Sequence, residues 1–195
     1  MDHYYSNNPT SVSEERLLEY RIGDKILHFI SDNGVFSKNH VDFATDFLIN
    51  VMLKEEISGK FLDVGCGYGV IGIALSKFFD ISATMLDINA RALELARKNA
   101  AKNNLKTAKI IESNGFEKIN GHYDVIVTNP PIRAGKTVIY NIYKEAKKHL
   151  NANGKFYLVI NKKHGAPSTI KYLNELFDEV EVLDKKAGFN VIRCK

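Results

Sequence analysis

The hydrophobic positions of this chain follow two alternating patterns. Short runs rich in Val, Ile, Phe and Leu predict strands, and longer stretches with apolar residues three or four positions apart predict amphipathic helices. The predicted strands are Leu18–Arg21, Lys25–Ser31, Lys60–Val64, Ser82–Leu86, Lys109–Glu112, Tyr123–Thr128, Lys155–Ile160, Glu179–Leu183 and Phe189–Cys194. The predicted helices are Val41–Leu53, Val70–Phe79, Ala90–Asn103, Val138–Leu150 and Ser168–Phe177.

The order of these elements predicts the fold. The first two strands flank a Gly-Asp turn and predict a hairpin after a polar arm, residues 1–13. Further along, strands alternate with helices, which is typical of a parallel sheet covered on both faces. We predict an α/β protein with a Rossmann-like, doubly wound, mostly parallel seven-stranded sheet and an antiparallel terminal strand. Residues 1–195 are expected to form one domain, with 1–40 as arm and hairpin and 41–195 as the core.

Composition narrows the class of protein. The chain has 195 residues, of which 45% are hydrophobic, enough for one well-buried core. The net charge of +4 is a mild basic excess, compatible with RNA as a partner. Cys66 and Cys194 form neither a metal-ligand pattern nor a disulfide framework, which favours a reducing compartment. We see no signal peptide and no segment apolar enough to span a membrane, and we expect a cytoplasmic protein without a metal.

A glycine-rich turn follows the first core strand. Gly67, Gly69 and Gly72 match the dinucleotide-binding fingerprint, and Asp87 lies about 20 residues further on. A nicotinamide or flavin enzyme is therefore one interpretation. Asp63 opposes it, because a carboxylate just before the turn would repel a pyrophosphate. The extra glycine at position 65 also lets the backbone approach a ligand closely.

S-adenosylmethionine suits this turn better. Asp63 and nearby backbone carbonyls would attract its ammonium group, and Asp87 would accept hydrogen bonds from its ribose hydroxyls. Ile88 would lie against the adenine ring, and Asn114 would bond the adenine edge. The predicted cofactor residues are Asp63, Gly65, Cys66, Gly67, Gly69, Asp87, Ile88 and Asn114. The alternative is that the glycines only permit helix–strand packing and that Asp87 is the N-cap of the next helix.

The tetrad Asn129-Pro130-Pro131-Ile132 indicates a substrate site. A residue before proline favours extended backbone, and each proline has a fixed φ and no N–H. The Asn129 amide oxygen and the Pro130 carbonyl would then lie side by side on a stiff segment. Such a pair can accept both hydrogens of one planar –NH2 group. The tetrad therefore predicts methyl transfer to an exocyclic or amide nitrogen.

The motifs also carry a family resemblance. LDVGCGYGVIGIAL (Leu62–Leu75), LDIN (Leu86–Asn89), ESNGF (Glu112–Phe116) and TNPPI (Thr128–Ile132) resemble, in order and spacing, class I S-adenosylmethionine-dependent methyltransferases. More narrowly, the chain resembles the small-domain group related to bacterial 16S rRNA guanine-N2 methyltransferases. The segments that carry this second resemblance are SDNGVFS (Ser31–Ser37), VDFAT (Val41–Thr45), NPPIRAGK (Asn129–Lys136) and KKHGAPS (Lys162–Ser168).

The resemblance implies methylation of the N2 amine of a guanine in small-subunit rRNA, by a monomer or homodimer that binds rRNA or the small ribosomal subunit. The predicted catalytic residues are Asn129, Pro130, Pro131 and Ile132. The predicted substrate-binding residues are Phe36, Arg133, Lys136, Lys162 and Lys163. Phe36 would cover the base and the basic residues would contact phosphates, with core packing and solvated charge as the alternatives. Asp42 and Thr45 either line the pocket or cap a helix.

Two rival functions remain open at this point. Protein glutamine-N methyltransferases share the tetrad, but they usually have an aromatic fourth residue where this chain has Ile132, and a separate N-terminal helical domain. A non-catalytic cofactor-binding or RNA-binding module would have no need of an intact tetrad. Ile132 at the fourth place favours the rRNA enzyme over the glutamine enzymes, and the intact tetrad favours it over a non-catalytic module.

Overall fold

The computed structural model of the protein describes residues 14–33 and 40–195. The strands are β1 (Arg16–Ile22), β2 (Lys25–Ser31), β3 (Gly59–Val64), β4 (Ile81–Asp87), β5 (Lys109–Glu112), β6 (Tyr123–Thr128), β7 (Leu150–Asn161), β8 (Val180–Lys186) and β9 (Phe189–Cys194). The α-helices are α1 (Phe43–Met52), α2 (Val70–Leu75), α3 (Ala90–Lys102), α4 (Lys136–Lys148) and α5 (Ala166–Leu176). Two one-turn 3-10 helices span Ile132–Ala134 and Lys162–His164.

One sheet of seven strands has the order β5-β4-β3-β6-β7-β9-β8. Neighbouring strands are parallel except at β9, which is antiparallel to both β7 and β8. The predicted fold class is confirmed. The strand order reverses between β3 and β6, and open α/β sheets bind ligands beyond the carboxyl ends of strands at such a switch point. The glycine turn follows β3, and the proline tetrad follows β6.

The core consists of two hydrophobic clusters, one on each side of the sheet. The first joins β1, β2, α1, α2 and α3 to one face, and its fully buried side chains include Phe61 and Met85. The second joins α4 and α5 to the other face around Tyr143 and Phe156. Helices on both faces explain why the sheet strands read as nearly continuous apolar runs.

Two asparagines one turn apart, one in the last turn of α3 and one at its C-cap, dock the hairpin of β1 and β2. Asn99 accepts from Ile30 N at 2.6 Å and donates to Ile30 O at 2.9 Å. Asn103 bonds both backbone groups of His28 in the same way, at 3.1 and 2.7 Å. The two side chains therefore take the place of a neighbouring strand along β2. Asn99 also donates to Tyr68 O at 2.9 Å, which connects the hairpin to the glycine turn.

We expect Asn99→Ala to lower the free energy of unfolding by about 2–3 kcal/mol, because it removes three hydrogen bonds, two part-buried ones to the backbone of Ile30 and a buried one to the Tyr68 carbonyl. Urea denaturation measures this value. Asn174→Ala is the matched control, since Asn174 is exposed and bonds only the Ile170 carbonyl of its own helix. A loss below about 0.5 kcal/mol at Asn99, the range of ordinary surface changes, would contradict this account of hairpin docking.

Several predicted boundaries were wrong. Helix α2 ends at Leu75 rather than at residue 79, because Lys77 N and Phe78 N donate to the carbonyls three residues back, those of Ala74 and Leu75, each at 3.0 Å. Strand β7 begins at Leu150, where a helix end was predicted, and Leu150 pairs with Tyr123 across a register shift. The Asn-Gly step at 153–154 therefore lies within an irregular strand. Among the described residues, no helix is both long and apolar enough to cross a membrane.

Candidate active site

The glycine turn after β3 is fixed to the end of β4. Gly65 and Cys66 both donate a backbone N–H to the Leu86 carbonyl, each at 2.9 Å, and Gly67 N donates to Asp87 Oδ2 at 2.8 Å. Burial raises the pKa of Asp87, and the backbone donors around its carboxylate oppose that rise. Asp87 therefore sets the shape of the turn in addition to facing the space beyond it.

The glycines of the turn serve two different purposes. A Cβ at Gly72 would lie 2.7 Å from Met85 Sδ, and one at Gly69 would lie 3.3 Å from Ala96 Cβ. Helix packing explains both. Gly65 differs, because its φ is +72° and a Cβ there would meet nothing within 4 Å. Close packing therefore accounts for Gly69 and Gly72, while Gly65 faces the open space that a ligand needs.

Asp63 holds a buried acceptor at the end of β3, next to the glycine turn. Its Oδ2 accepts from Gly72 N at 3.0 Å, while its buried Oδ1 has no hydrogen-bond partner among the described residues. Burial, together with the charge of Asp87, raises the pKa of Asp63 to about 7. An unpartnered buried carboxylate oxygen is costly unless a donor reaches it. The ammonium group of an amino acid ligand would supply that donor.

The residues beyond β4 and β5 complete this end of the site. Asn89, not Asp87, caps α3, because Asn89 Oδ1 accepts from Ala92 N at 3.1 Å. The alternative of Asp87 as N-cap is therefore wrong. Ile88 is half-buried between them. Asn114 is exposed and its Nδ2 donates to Glu117 Oε1 at 2.8 Å, so this side chain would have to exchange partners to bond a ligand.

The tetrad lies beside the glycine turn. Thr128 Oγ1 donates to the Val64 carbonyl at 2.8 Å, which joins the ends of β6 and β3. The next residue, Asn129, points its Nδ2 toward α1, 3.0 Å from Thr45 Oγ1 and 3.5 Å from Asp42 Oδ1. A carboxylate can only accept, so Asp42 fixes which end of the amide faces α1. Asn129 Oδ1 is thereby held on the opposite side as a free acceptor.

The capping interpretation is confirmed for Asp42, whereas a place for Asp42 and Thr45 in a ligand pocket stays a prediction. Asp42 is the N-cap of α1, and its Oδ1 accepts from Ala44 N at 3.0 Å and Thr45 N at 3.1 Å. The same carboxylate and the Thr45 hydroxyl orient Asn129. The motif Val41–Thr45 could be recognised in the sequence. The contact of Asp42 and Thr45 with Asn129 could not be predicted, because it joins segments more than 80 positions apart.

The two prolines have different surroundings. The Pro131 carbonyl accepts from Ala134 N at 2.9 Å and opens the one-turn helix Ile132–Ala134. Pro130 is buried, and its carbonyl accepts no hydrogen bond from the described residues. Ile132 is half-buried and packs against the second hydrophobic cluster. Asn129 Oδ1 and the Pro130 carbonyl are therefore two acceptors of the tetrad to which no described residue donates.

A family model for the methyltransferase small domain matches residues 26–193. The chain belongs to the methyltransferase small domain family. Uncharacterized protein YbxB of Bacillus subtilis is 45% identical over 197 residues, which cover all of this chain and 98% of the relative. Ribosomal RNA small subunit methyltransferase C of Haemophilus influenzae is 37% identical over 167 residues, 83% of this chain and 49% of that protein.

A solved structure shows the same fold with ligands. It is the T. thermophilus 16S rRNA N2 G1207 methyltransferase (RsmC) in complex with AdoMet and guanosine, with a TM-score of 0.83 and 26% identity over 96% of this chain and 52% of that one. The chain thus spans about half the length of the rRNA methyltransferases it matches. The predicted cofactor is confirmed, and this methyltransferase uses S-adenosylmethionine rather than a nicotinamide or flavin.

The predicted substrate residues of the methyltransferase lie on two sides of the tetrad. Arg133 and Lys136 are exposed, and Lys136 Nζ lies 4.9 Å from the centre of the Tyr140 ring. Lys162 and Lys163 are exposed on the one-turn helix after β7. Phe36 lies outside the described residues. Within 14–33 and 40–195, no group of three or more His, Cys, Asp or Glu side chains could hold a metal ion.

We expect Thr45→Val to lower the turnover of the methyltransferase about 10-fold with little change in KM, since one hydrogen bond that orients Asn129 is worth roughly 1–1.5 kcal/mol. Thr45→Ser should restore turnover because it returns the hydroxyl group. Steady-state kinetics of the three proteins measure the effect. If valine and serine variants behave alike, the Thr45 hydroxyl has no part in orienting the amide.

Proposed function

We propose that the protein transfers a methyl group to the exocyclic N2 amine of a guanine in small-subunit (16S) rRNA. The observation that carries the proposal is the held amide of Asn129, whose nitrogen is bound by Thr45 and Asp42 and whose oxygen is left free. Two of the relatives support the choice of base and RNA, because both are named as 16S or small-subunit rRNA methyltransferases and one was solved with guanosine. Such a substrate places the reaction in the cytoplasm.

The acceptors of the tetrad act on a poor nucleophile. The lone pair of an exocyclic amine is delocalised into the base, so the nitrogen must become more tetrahedral to react. Asn129 Oδ1 and the Pro130 carbonyl accept its two hydrogens and hold the lone pair toward the methyl group. Their hydrogen bonds strengthen as the nitrogen gains positive charge, which stabilises the transition state more than the bound substrate. One of these hydrogens leaves as a proton after transfer, and no general base is assigned.

The residues of the glycine turn position the cofactor. When bound, S-adenosylmethionine supplies a methyl group on a positively charged sulfur, and its C–S bond breaks as the new N–C bond forms. The free Oδ1 of Asp63 would accept from the ammonium group, and Asp87 from the ribose hydroxyls. The Thr128–Val64 hydrogen bond joins the two halves of the site, which supports alignment of nitrogen, methyl and sulfur.

The substrate is tested by methyl transfer from tritiated S-adenosylmethionine to bare 16S rRNA, to 30S subunits and to a release factor. Mass spectrometry of nucleosides from the labelled RNA should show N2-methylguanine, and Asn129→Ala protein should label the RNA about 10²–10³-fold more slowly. N6-methyladenine as the sole product would reject the base. Label in a release-factor glutamine and none in RNA would assign the protein to the rival class. No transfer despite cofactor binding would favour a non-catalytic module.

A further inference from the structure

Three distant segments form one exposed surface next to the tetrad. We call it the aromatic–lysine surface and define it by Phe43, Phe189, Lys162, Lys163, Lys185 and Lys186. Phe43 begins α1, directly after the Asp42 that orients Asn129. The first lysine pair lies on the one-turn helix after β7, and the second closes β8.

Backbone hydrogen bonds bring the two lysine pairs together. Lys162 N donates to the Gly188 carbonyl at 2.7 Å, so the one-turn helix sits against the turn between β8 and β9. In that turn Lys186 pairs with Phe189, and Phe189 also pairs with Asn161 at the end of β7. The sequence places these pairs far apart, but the antiparallel insertion of β9 between β7 and β8 makes them neighbours.

The aromatic side chains connect the lysines to the catalytic side. The Phe43 and Phe189 ring centres lie 5.5 Å apart, and the Phe43 ring also stacks on Phe47 at 5.9 Å. Phe43 nevertheless keeps 38% of its surface exposed, which makes it one of few large hydrophobic residues so exposed in the described chain. An exposed ring held in place by two others can stack on another flat ring with little loss of freedom.

The charge of this surface is uncompensated. Among the described residues, none of its four lysines forms an ion pair, whereas Lys98, Lys147, Lys148 and Lys195 all do. The acid nearest in sequence, Asp184, faces Lys54 at 4.0 Å and accepts from the backbone N–H of Lys185. Unpaired exposed lysines beside an exposed aromatic ring match a ligand that carries both phosphates and unstacked bases.

We propose that the aromatic–lysine surface binds a single-stranded RNA segment that flanks the target nucleotide, with one base stacked on Phe43 and phosphates at the lysines. This inference rests on the proposed function and adds the path of the substrate strand. A base in a duplex has no free face for Phe43, so the partner is a loop or unpaired end. The target nucleotide would be the neighbour, along the RNA strand, of the nucleotide stacked on Phe43. It would enter past Asp42 toward Asn129.

The lysines are tested by salt dependence. A fluorescein-labelled single-stranded RNA oligonucleotide is titrated with protein by anisotropy between about 50 and 200 mM salt. Replacing all four lysines of the surface by alanine should reduce the slope of log K against log salt by about 3, since each phosphate contact on a single strand contributes about 0.7. The matched control replaces Lys98, Lys147, Lys148 and Lys195 by alanine. It removes the same amount of positive charge, but from lysines that form ion pairs with acidic side chains. It should change the slope by less than about 1.

Phe43 is tested separately from the charge. Phe43→Leu keeps an apolar side chain against Phe189 but removes the stacking face, and it should weaken single-stranded RNA binding about 10-fold with an unchanged salt slope. Phe43→Tyr should bind as wild type. Equal binding of duplex RNA by wild type and Phe43→Leu is expected, because no base face is free there.

The outcomes separate this inference from the proposed function. If the wild-type protein methylates rRNA but the lysine and Phe43→Leu variants bind and methylate as well as it does, the surface is rejected and the function stands. If the lysine and control sets change the slope equally, the charge effect is general and the surface is likewise rejected. Absence of both RNA methylation and RNA binding in the wild type overturns the two together.

Discussion

Asn129→Ala will lower turnover by about 10²–10³-fold, the usual effect of removing one acceptor or donor that acts in the transition state. Asn129 bonds only Thr45 and Asp42 among the described residues, so alanine removes the free Oδ1 without opening the core. Affinity for S-adenosylmethionine should stay close to wild type, because the cofactor residues lie on the neighbouring strands. Single-turnover kinetics measure the chemical step, and calorimetry with S-adenosylhomocysteine measures the affinity.

The control for Asn129 is Asn114→Ala. Asn114 is also an asparagine beyond a strand end, but it lies on the far side of β4 and bonds Glu117. Loss of the Asn114 side chain should weaken cofactor binding. It should leave unchanged the rate of methyl transfer once cofactor and substrate are bound. An Asn129→Ala protein with turnover near wild type would remove Asn129 from the mechanism. A fall in cofactor affinity that matches the fall in rate would show that Asn129 acts on the cofactor instead.

Asp87→Ala will weaken S-adenosylmethionine binding by up to about 10²-fold, equivalent to the roughly 1–3 kcal/mol of an unpaired polar group in a binding site. Two effects contribute. The substitution removes the carboxylate that would accept from the ribose hydroxyls. It also frees Gly67 N, which Asp87 holds at 2.8 Å, and so loosens the turn. Calorimetry measures the dissociation constant.

Asp124→Ala is the matched control for Asp87→Ala. Asp124 likewise braces the sheet, accepting from Lys60 N at 2.7 Å and from Asn151 Nδ2 at 2.6 Å, but it does so at the amino ends of the strands. It should lower the melting temperature without changing cofactor affinity. If Asp87→Ala shows the same pattern, its carboxylate serves the fold alone and does not contact the cofactor.

Much of the fold was predictable from local pattern. The order of strands and helices follows from the apolar runs, and the positions of glycine and proline residues predict the turns. The wrong boundaries have two causes, a tertiary contact at β7 and a local change of backbone hydrogen bonding at α2. Leu150 pairs with Tyr123 although an Asn-Gly step follows, and α2 ends where the backbone N–H groups begin to bond carbonyls three residues back. A sequence pattern does not contain either contact.

The candidate site was predictable only in part. Spacing predicted the turn, Asp63, Asp87 and the tetrad as site candidates, since all lie at or directly after the carboxyl ends of strands in the parallel sheet. Spacing could not distinguish Gly65, which faces open space, from Gly72, which packs on Met85. The orientation of Asn129 by residues of α1 was equally hidden, because it depends on where a helix from another part of the chain is packed.

The one-turn helix after the tetrad sets a limit on the extent of the reaction. In the proposed reaction the substrate amine bonds Asn129 Oδ1 and the Pro130 carbonyl, while the Pro131 carbonyl already accepts from Ala134 N. An unmodified amine has two hydrogens for this pair of acceptors, and a singly methylated amine has only one. A second methyl transfer would leave one acceptor of the pair without a partner, at a cost of about 1–3 kcal/mol. The proposed reaction therefore predicts a product with a single methyl group on each nitrogen.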